Sequence, residues 1–214
     1  MIKIVHHKIP DIKQLNLPTG RLYETPDGNR YPSVSTVLAS IPNPYLAEWR
    51  AQVGEDTAKK ISKTATDRGT KIHAACENYI LGKPIKWGLT ESVTKEMFTN
   101  MIPFLQFDEV HGLESKLWSD RIRCAGTVDC VAIKDGALSI VDFKTSGRYK
   151  NREEIDGYFM QTAAYALMWW ERTGMMATNL KIIMTTQDDG VLIYNEPVRK
   201  WLDRFIEVRK NCEF

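Results

Sequence analysis

The chain has 214 residues, 43% of them hydrophobic and 26% charged, with 29 Lys and Arg against 27 Asp and Glu and a net charge of +2. These fractions are ordinary for a soluble globular protein, and so small a net charge implies no polyanionic partner by itself, so any phosphate-binding surface must come from local clustering. No run is long enough to span a membrane, and Met1-Ile2-Lys3-Ile4-Val5-His6-His7 lacks the apolar core of a signal peptide; a cytoplasmic chain forming one domain over 1–214, with no membrane association, is expected.

The part up to about Pro44 is rich in turn residues. Pro10, Pro18-Thr19-Gly20 and Pro26-Asp27-Gly28-Asn29 separate short apolar pieces, and Leu22-Tyr23 and Tyr31 to Leu38 read as strands or extended segments around a hairpin. From Pro44, at a first helical position, Leu46, Trp49, Ala58 and Ile61 imply helices broken near Gly54. A further helix is predicted from about Asp67 to Leu81, stopped by Gly82, with Ile72, Cys76, Tyr79 and Ile80 as its core stripe. Another follows Thr90, with Val93, Met97, Met101, Phe104 and Leu105 inward and a kink at Pro103.

The apolar period then falls to two, and Glu114 to Trp118, Arg123 to Ile133 and Leu138 to Lys144 read as successive strands. A helix from about Glu153 to Arg172, stopped by Gly174, precedes two more strands, Leu180 to Thr186 and Val191 to Asn195, around the turn residues Asp188-Asp189-Gly190. A last amphipathic helix carries Trp201, Phe205, Val208 and Cys212. This order reads as α/β: a mixed sheet over 111–214, preceded by a hairpin and helical part over 1–110 that carries His73. Cys76, Cys124, Cys130 and Cys212 form no CxxC pair and read as small apolar packing residues.

Two of the strands are joined by Lys134-Asp135-Gly136-Ala137. If Asp135-Gly136 is a two-residue type I′ turn, Asp129 lies directly opposite Asp142, on a face shared with Lys144, Val131, Ile133, Leu138 and Ile140. Val128, Cys130, Ala132, Val141 and Phe143 take the other face, so the hairpin is buried on both sides with its charges at the end far from the turn. Two opposed carboxylates repel, the more so when buried. Either a divalent cation with Lys144 as a further counter-charge, or an Asp–Lys salt bridge with one solvated Asp, answers that repulsion. A one-residue slip of register would put Asp129 on the opposite face.

His73 and Glu77 are four apart on one helix, as a ligand with its orienting partner or as a simple local ion pair. Gly69, one turn earlier, costs about 1 kcal/mol relative to alanine and signals a close approach to the backbone. Gln161 and Tyr165 form another such pair in a very apolar helix, where a buried amide needs a partner. The segment Thr145-Ser146-Gly147-Arg148-Tyr149-Lys150-Asn151-Arg152, and the cations Lys59, Lys60, Lys63, Arg68 and Lys71, are either phosphate contacts with a stacking aromatic or solvated surface charge.

Taken in order, Gly126-Thr127-Val128-Asp129, Val141-Asp142-Phe143-Lys144-Thr145 and the Q-x-x-x-Y of Gln161 and Tyr165 resemble the PD-(D/E)XK nuclease superfamily in its RecB-like form. Arg68-Gly69-Thr70-Lys71-Ile72-His73 with Glu77 is similar to the upstream G-x-x-x-H helix of that group, and Glu114 matches an acidic position on the preceding strand. With Tyr31-Pro32-Ser33-Val34-Ser35, the layout is most similar to small mitochondrial and phage exonucleases. The resemblance implies a restriction-endonuclease-like core in which His73, Asp129, Asp142 and the Phe143 carbonyl hold one or two Mg2+ or Mn2+ ions. Lys144 would position or deprotonate the attacking water and Gln161 would hold the water or scissile phosphate, with Tyr165, Glu77 and Glu114 supporting the site. Thr145, Ser146, Arg148, Tyr149, Lys150, Arg152, Arg68 and Lys71 would contact the substrate. The cysteine spacing does not match the iron-sulfur subgroup, so no cluster is expected.

The expectation is therefore a metal-dependent DNA exonuclease acting from single-stranded ends in replication, recombination or repair, in a bacterial or phage-infected cell, with a single-strand-binding or recombination protein as candidate partner. The alternatives are a double-strand exonuclease or structure-specific endonuclease of phage recombination, and a catalytically silent nucleic-acid-binding module.

Overall fold

A computed structural model describes residues 2–213 of the chain; Met1 and Phe214, the ends of the expected domain, lie outside the described residues. Its centre is the hairpin of β6 (Cys124–Lys134) and β7 (Ala137–Ser146). Asp135 and Gly136 have φ of 51° and 77°, as a type I′ turn requires. Pairing runs from Lys134 opposite Ala137 to Cys130 opposite Val141, in the register expected from the turn. Because Gly136 holds a left-handed backbone, Gly136→Ala should cost about 1 kcal/mol in urea denaturation; an unchanged midpoint would show that the turn relaxes without strain.

The hairpin lies within a six-stranded sheet made with β1 (Lys3–Ile4), β5 (Glu109–Ser119), β8 (Asn179–Thr186) and β9 (Val191–Pro197), in the order β1-β5-β6-β7-β8-β9. The β1/β5 and β7/β8 pairs are parallel and the others antiparallel, so the sheet is mixed, as read from the sequence. One face is covered by α3 (Glu55–Ile80) and α4 (Ser92–Met101), which bury Ile72, Cys76, Met97 and Met101 against Cys130, Val141 and Phe143. The other is covered by α5 (Asp156–Thr173) and α6 (Val198–Lys210), which bury Phe159, Trp169, Trp201 and Phe205 against Val131, Ile140 and Ile182. The short α1 (Val34–Leu38) joins this second layer, and α2 (Pro44–Val53) leads into α3. An antiparallel meander of β2 (Lys13–Leu17), β3 (Gly20–Glu24) and β4 (Arg30–Pro32) completes the N-terminal elaboration.

Several expectations are corrected. The helix predicted from Asp67 begins at Glu55, because after Gly54 (φ 83°) no breaker interrupts it and Glu55 and Asp56 favour its first turn. Within it a Cβ at Gly69 would stand 3.6 Å from Thr145 Oγ1, an ordinary contact distance, so the packing there does not require the glycine expected to mark a close approach. Tyr31 to Leu38 is not one extended segment: Ser33 caps α1 by accepting from the Thr36 amide. Val93, in the first turn of α4, is exposed, and so is Phe104, since α4 ends at Met101 and a 3-10 turn re-aims the residues after it. Cys212 lies beyond α6 and is still buried. Strand β1 was not anticipated, because two residues carry no readable period. All four cysteines are buried, Cys76 and Cys130 in one layer and Cys124 and Cys212 in the other.

Candidate active site

Beyond Cys130 and Val141 the paired stretch of β6 and β7 ends, and the charged groups collect where it does. Strict alternation would put Val128 and Cys130 on one face, yet Val128 packs in the α5 layer and Cys130 in the α3 layer. The alternation thus reverses at Asp129, and that carboxylate reaches toward α3 instead of sharing the Val131 and Ile140 face. Strand β5 is irregular alongside it: the register shifts between Val110 and Gly112, and Glu114 has φ 45°. Asp129 and Asp142 nevertheless meet across the gap, because Asp129 Oδ2 accepts the Phe143 backbone N–H at 2.8 Å.

His73 Nδ1 lies 3.6 Å from Asp129 Oδ2 and 3.7 Å from Glu114 Oε1, and ligand atoms of these three residues lie within 4.8 Å of one another. Glu114, expected only to support the site, is therefore in the cluster itself. Asp142 is 2% exposed; its Oδ2 is paired with the Lys144 ammonium at 2.5 Å, and its Oδ1 has no hydrogen-bond partner among the described residues. Lys144 Nζ donates to Gln161 Oε1 at 3.4 Å, and the Gln161 amide makes a long contact of 3.5 Å to the Tyr165 hydroxyl. The two i,i+4 residues on α5 thus continue the chain of contacts that starts at Asp142.

Burial raises the Asp142 carboxyl above its ordinary range, with Lys144 opposing and Asp129 adding to the effect. Asp129 is raised for the same first reason, against the pull of His73 and Lys144. Burial disfavours charge on Lys144 too, but Asp142 and Asp129 outweigh it and hold the ammonium protonated. For His73 burial is likewise overcome by Asp129 and Glu114, which push it up to about 9. A buried carboxylate with one unpartnered oxygen, near two further acidic groups and an imidazole, fits a divalent cation with hard oxygen donors.

The helix side of the site opens into a groove of about 470 Å3 lined by Gly69, Thr70, His73, Ala74, Glu77 and Glu114. Glu77 borders that groove one turn beyond His73. Thr145 and buried Ser146 end β7, with Ser146 Oγ accepting from the Arg148 amide. Arg148 is ion-paired with Glu154, Arg152 with Asp156 and Glu196, and Lys71 with Glu91, so three of the expected phosphate cations are already matched by carboxylates. Arg68 instead donates to the neutral Gln187 at 2.9 Å and Lys150 to the Tyr158 hydroxyl at 2.6 Å, while Tyr149 is exposed.

Tyr158 was not singled out in the sequence. Its ring centroid lies 4.9 Å from Lys144 Nζ and 5.1 Å from Lys150 Nζ, so it joins the basic loop to the buried lysine. Its place three residues before Gln161, on the same helix face, was the available signal. Tyr31 and Ser33 serve the scaffold: the Tyr31 hydroxyl donates to Asp120, and Ser33 bridges to Ala125 on β6.

A family model described as the PD-(D/E)XK nuclease superfamily matches residues 89–205, a span that includes Glu114, Asp129, Asp142, Lys144, Gln161 and Tyr165 and leaves out His73. Mitochondrial genome maintenance exonuclease 1 from Homo sapiens is 26% identical over 132 residues, covering 57% of this chain and 38% of that protein. The Mus musculus protein of the same name is 26% identical over 131 residues, covering 57% of this chain and 39% of its own. The chain thus spans less than two fifths of the length of these relatives. A solved Eubacterium rectale protein, described as an exonuclease candidate, is 13% identical with a TM-score of 0.43, covering 69% of this chain and 68% of that one.

Proposed function

This chain belongs to the PD-(D/E)XK nuclease superfamily, and on that premise we propose that it is a Mg2+- or Mn2+-dependent DNA exonuclease acting from single-stranded ends, folded as one domain and serving replication, recombination or repair. Nucleases of this superfamily use divalent metal ions. The observation that carries the reading is the buried Asp142, paired with Lys144 through Oδ2 and with Oδ1 unpartnered among the described residues, near Asp129 and His73. The likeness to the mitochondrial genome maintenance exonucleases supports the exonuclease assignment.

In this reading His73, Asp129, Asp142 and the Phe143 carbonyl hold the cation, with Glu114 as a further oxygen donor. A bound divalent cation supplies charge neutralisation at the phosphate and a more acidic water near neutral pH. Lys144, kept protonated by Asp142, holds the attacking water or a phosphate oxygen, and Gln161 and Tyr165 restrain Lys144. Arg68 and Lys150, which donate to Gln187 and to the Tyr158 hydroxyl, meet the strand's phosphates, with Thr145 and Ser146 beside them; the exposed Tyr149 offers a stacking face. Arg148, Arg152 and Lys71 order the surrounding loop and helices.

Digestion of end-labelled single strands, duplexes and covalently closed circles tests this. Single strands should shorten from their ends with Mg2+ or Mn2+ and stay intact in EDTA, while circles survive. Cut circles would make the protein an endonuclease, equal rates on duplex would overturn the strand preference, and no cleavage of any substrate would overturn the enzyme.

A second expectation follows from His73. In the metal-free protein its charged form adds stability below its ordinary value of 6.5, a contribution lost as pH rises through about 9. A cation must displace that proton, so calorimetric Mn2+ affinity should rise about tenfold per pH unit between those values. A flat profile would remove His73 from the ligands.

A further inference from the structure

Three of the chain's four histidines, His6, His7 and His111, line one cavity of about 300 Å3, together with Asp11, Glu77 and Lys116. His7 Nε2 faces His111 Nδ1 at 3.0 Å. Both rings are held from behind: His111 Nε2 lies 3.0 Å from Glu109 Oε2, whose other oxygen accepts from Lys3 Nζ at 2.8 Å, and the His7 ring stands edge-on to Trp169 at 5.1 Å. With Glu109 accepting the Nε2 proton, His111 Nδ1 accepts from the His7 Nε2–H, a proton that a cation between the rings would displace, and the Glu109–His111 pair is the carboxylate–imidazole arrangement that orients metal-binding histidines. Glu77 also borders the groove beside His73; none of His7, His111 and Glu109 belongs to the proposed catalytic set.

We propose that His7 and His111 form a second cation site, for a borderline first-row ion of the Zn2+ class, with Glu109 as the outer partner and cavity water completing the coordination. Tetrahedral zinc with ordinary Zn–N bonds places two nitrogens about 3.3 Å apart, so the pair needs to open by only a few tenths of an ångström. Two imidazoles favour Zn2+ over Mg2+, whereas the proposed catalytic centre is mostly carboxylate oxygen. The bound ion ties the segment after β1 to β5 just upstream of Glu114, giving the edge of the sheet a clamp that the two-residue β1 pairing does not supply.

The test is calorimetric titration with ZnCl2 of the full chain carrying His73→Ala and Asp129→Asn, which removes proposed catalytic ligands. One Zn2+ should bind per chain, Mg2+ should not displace it, and adding either His7→Gln or His111→Gln should weaken binding by at least about tenfold. No uptake by the parent variant, or uptake that survives His7→Gln, overturns the site. His7 is in the partly exposed N-terminal segment, so His7→Gln carries the test even where His111→Gln fails to fold. His7→Gln alone, with Mn2+ and no zinc, should digest single strands at the wild-type rate, so failure of the zinc site and failure of the nuclease reading are separately visible.

Discussion

Asp142→Asn should reduce DNA hydrolysis by about 10^3-fold or more in Mn2+ while the protein stays folded and binds single-stranded DNA. The carboxylate is almost completely buried, its Oδ2 is paired with the Lys144 ammonium at 2.5 Å, and its Oδ1 has no hydrogen-bond partner among the described residues. In the proposed site it holds the cation and fixes Lys144, so its loss removes charge stabilisation at the phosphate and the positioning of a donor together; one such donor alone is worth about 10^2 to 10^3. The amide keeps the shape but leaves the buried Lys144 ammonium with Asp129 as its remaining counter-charge, so the urea midpoint should fall, by up to about 3 kcal/mol in stability, without unfolding the protein. Asp129→Ala and Lys144→Ala should also abolish cleavage without abolishing DNA binding. Undiminished hydrolysis in purified Asp142→Asn would remove the carboxylate from the chemistry. A collapse in stability would instead make it a structural ion-pair partner.

Gly126→Ala should be the next most damaging change, through a residue that touches no substrate in the proposed mechanism. A Cβ at this buried strand position would stand 2.7 Å from Tyr165 Cε1 and 2.8 Å from its hydroxyl oxygen. Overfilling a packed core costs about 1–3 kcal/mol, and here the yielding group is the ring whose hydroxyl lies beside Gln161. Displacing it moves Gln161 and then Lys144, and a misplacement of about 1 Å can cost about 10^2 in rate. A double-mutant cycle separates the effects: Tyr165→Ala should absorb most of the stability cost of Gly126→Ala but restore no activity. Tyr165→Phe should relieve little, because the ring carbon remains. Additive stability losses would mean that the glycine is required by the backbone and not by the tyrosine.

The hairpin was legible because a two-residue turn permits few geometries, and its register follows from the turn for as long as the strands remain paired. The mixed sheet was legible from the change of period. The exact path of Asp129 was not, since a reversal of alternation depends on how β5 and β6 fit together around Glu114. The same irregularity brings Glu114 to His73, a contact between α3 and β5 that no local spacing encodes. The basic segments left two readings open for another reason: a sequence lists cations but not the partners that Arg148 and Arg152 find in Glu154, Asp156 and Glu196. Tyr158 was overlooked because its two lysine neighbours converge only when β7, its loop and α5 are folded together.

By itself the sequence determined the local chemistry: which short runs are apolar strands, where glycine must turn, and which carboxylates, lysine, histidine and amide stand in an order shared with a nuclease superfamily. These are properties of near neighbours along the chain, governed by backbone sterics and period. Only the tertiary structure decided which charges are paired and which are left unmatched, how far apart the ligand atoms stand, and that His7 and His111 face one another across a cavity. Those outcomes depend on long-range packing, where burial makes an unpaired carboxylate costly and brings into contact groups that the chain keeps far apart.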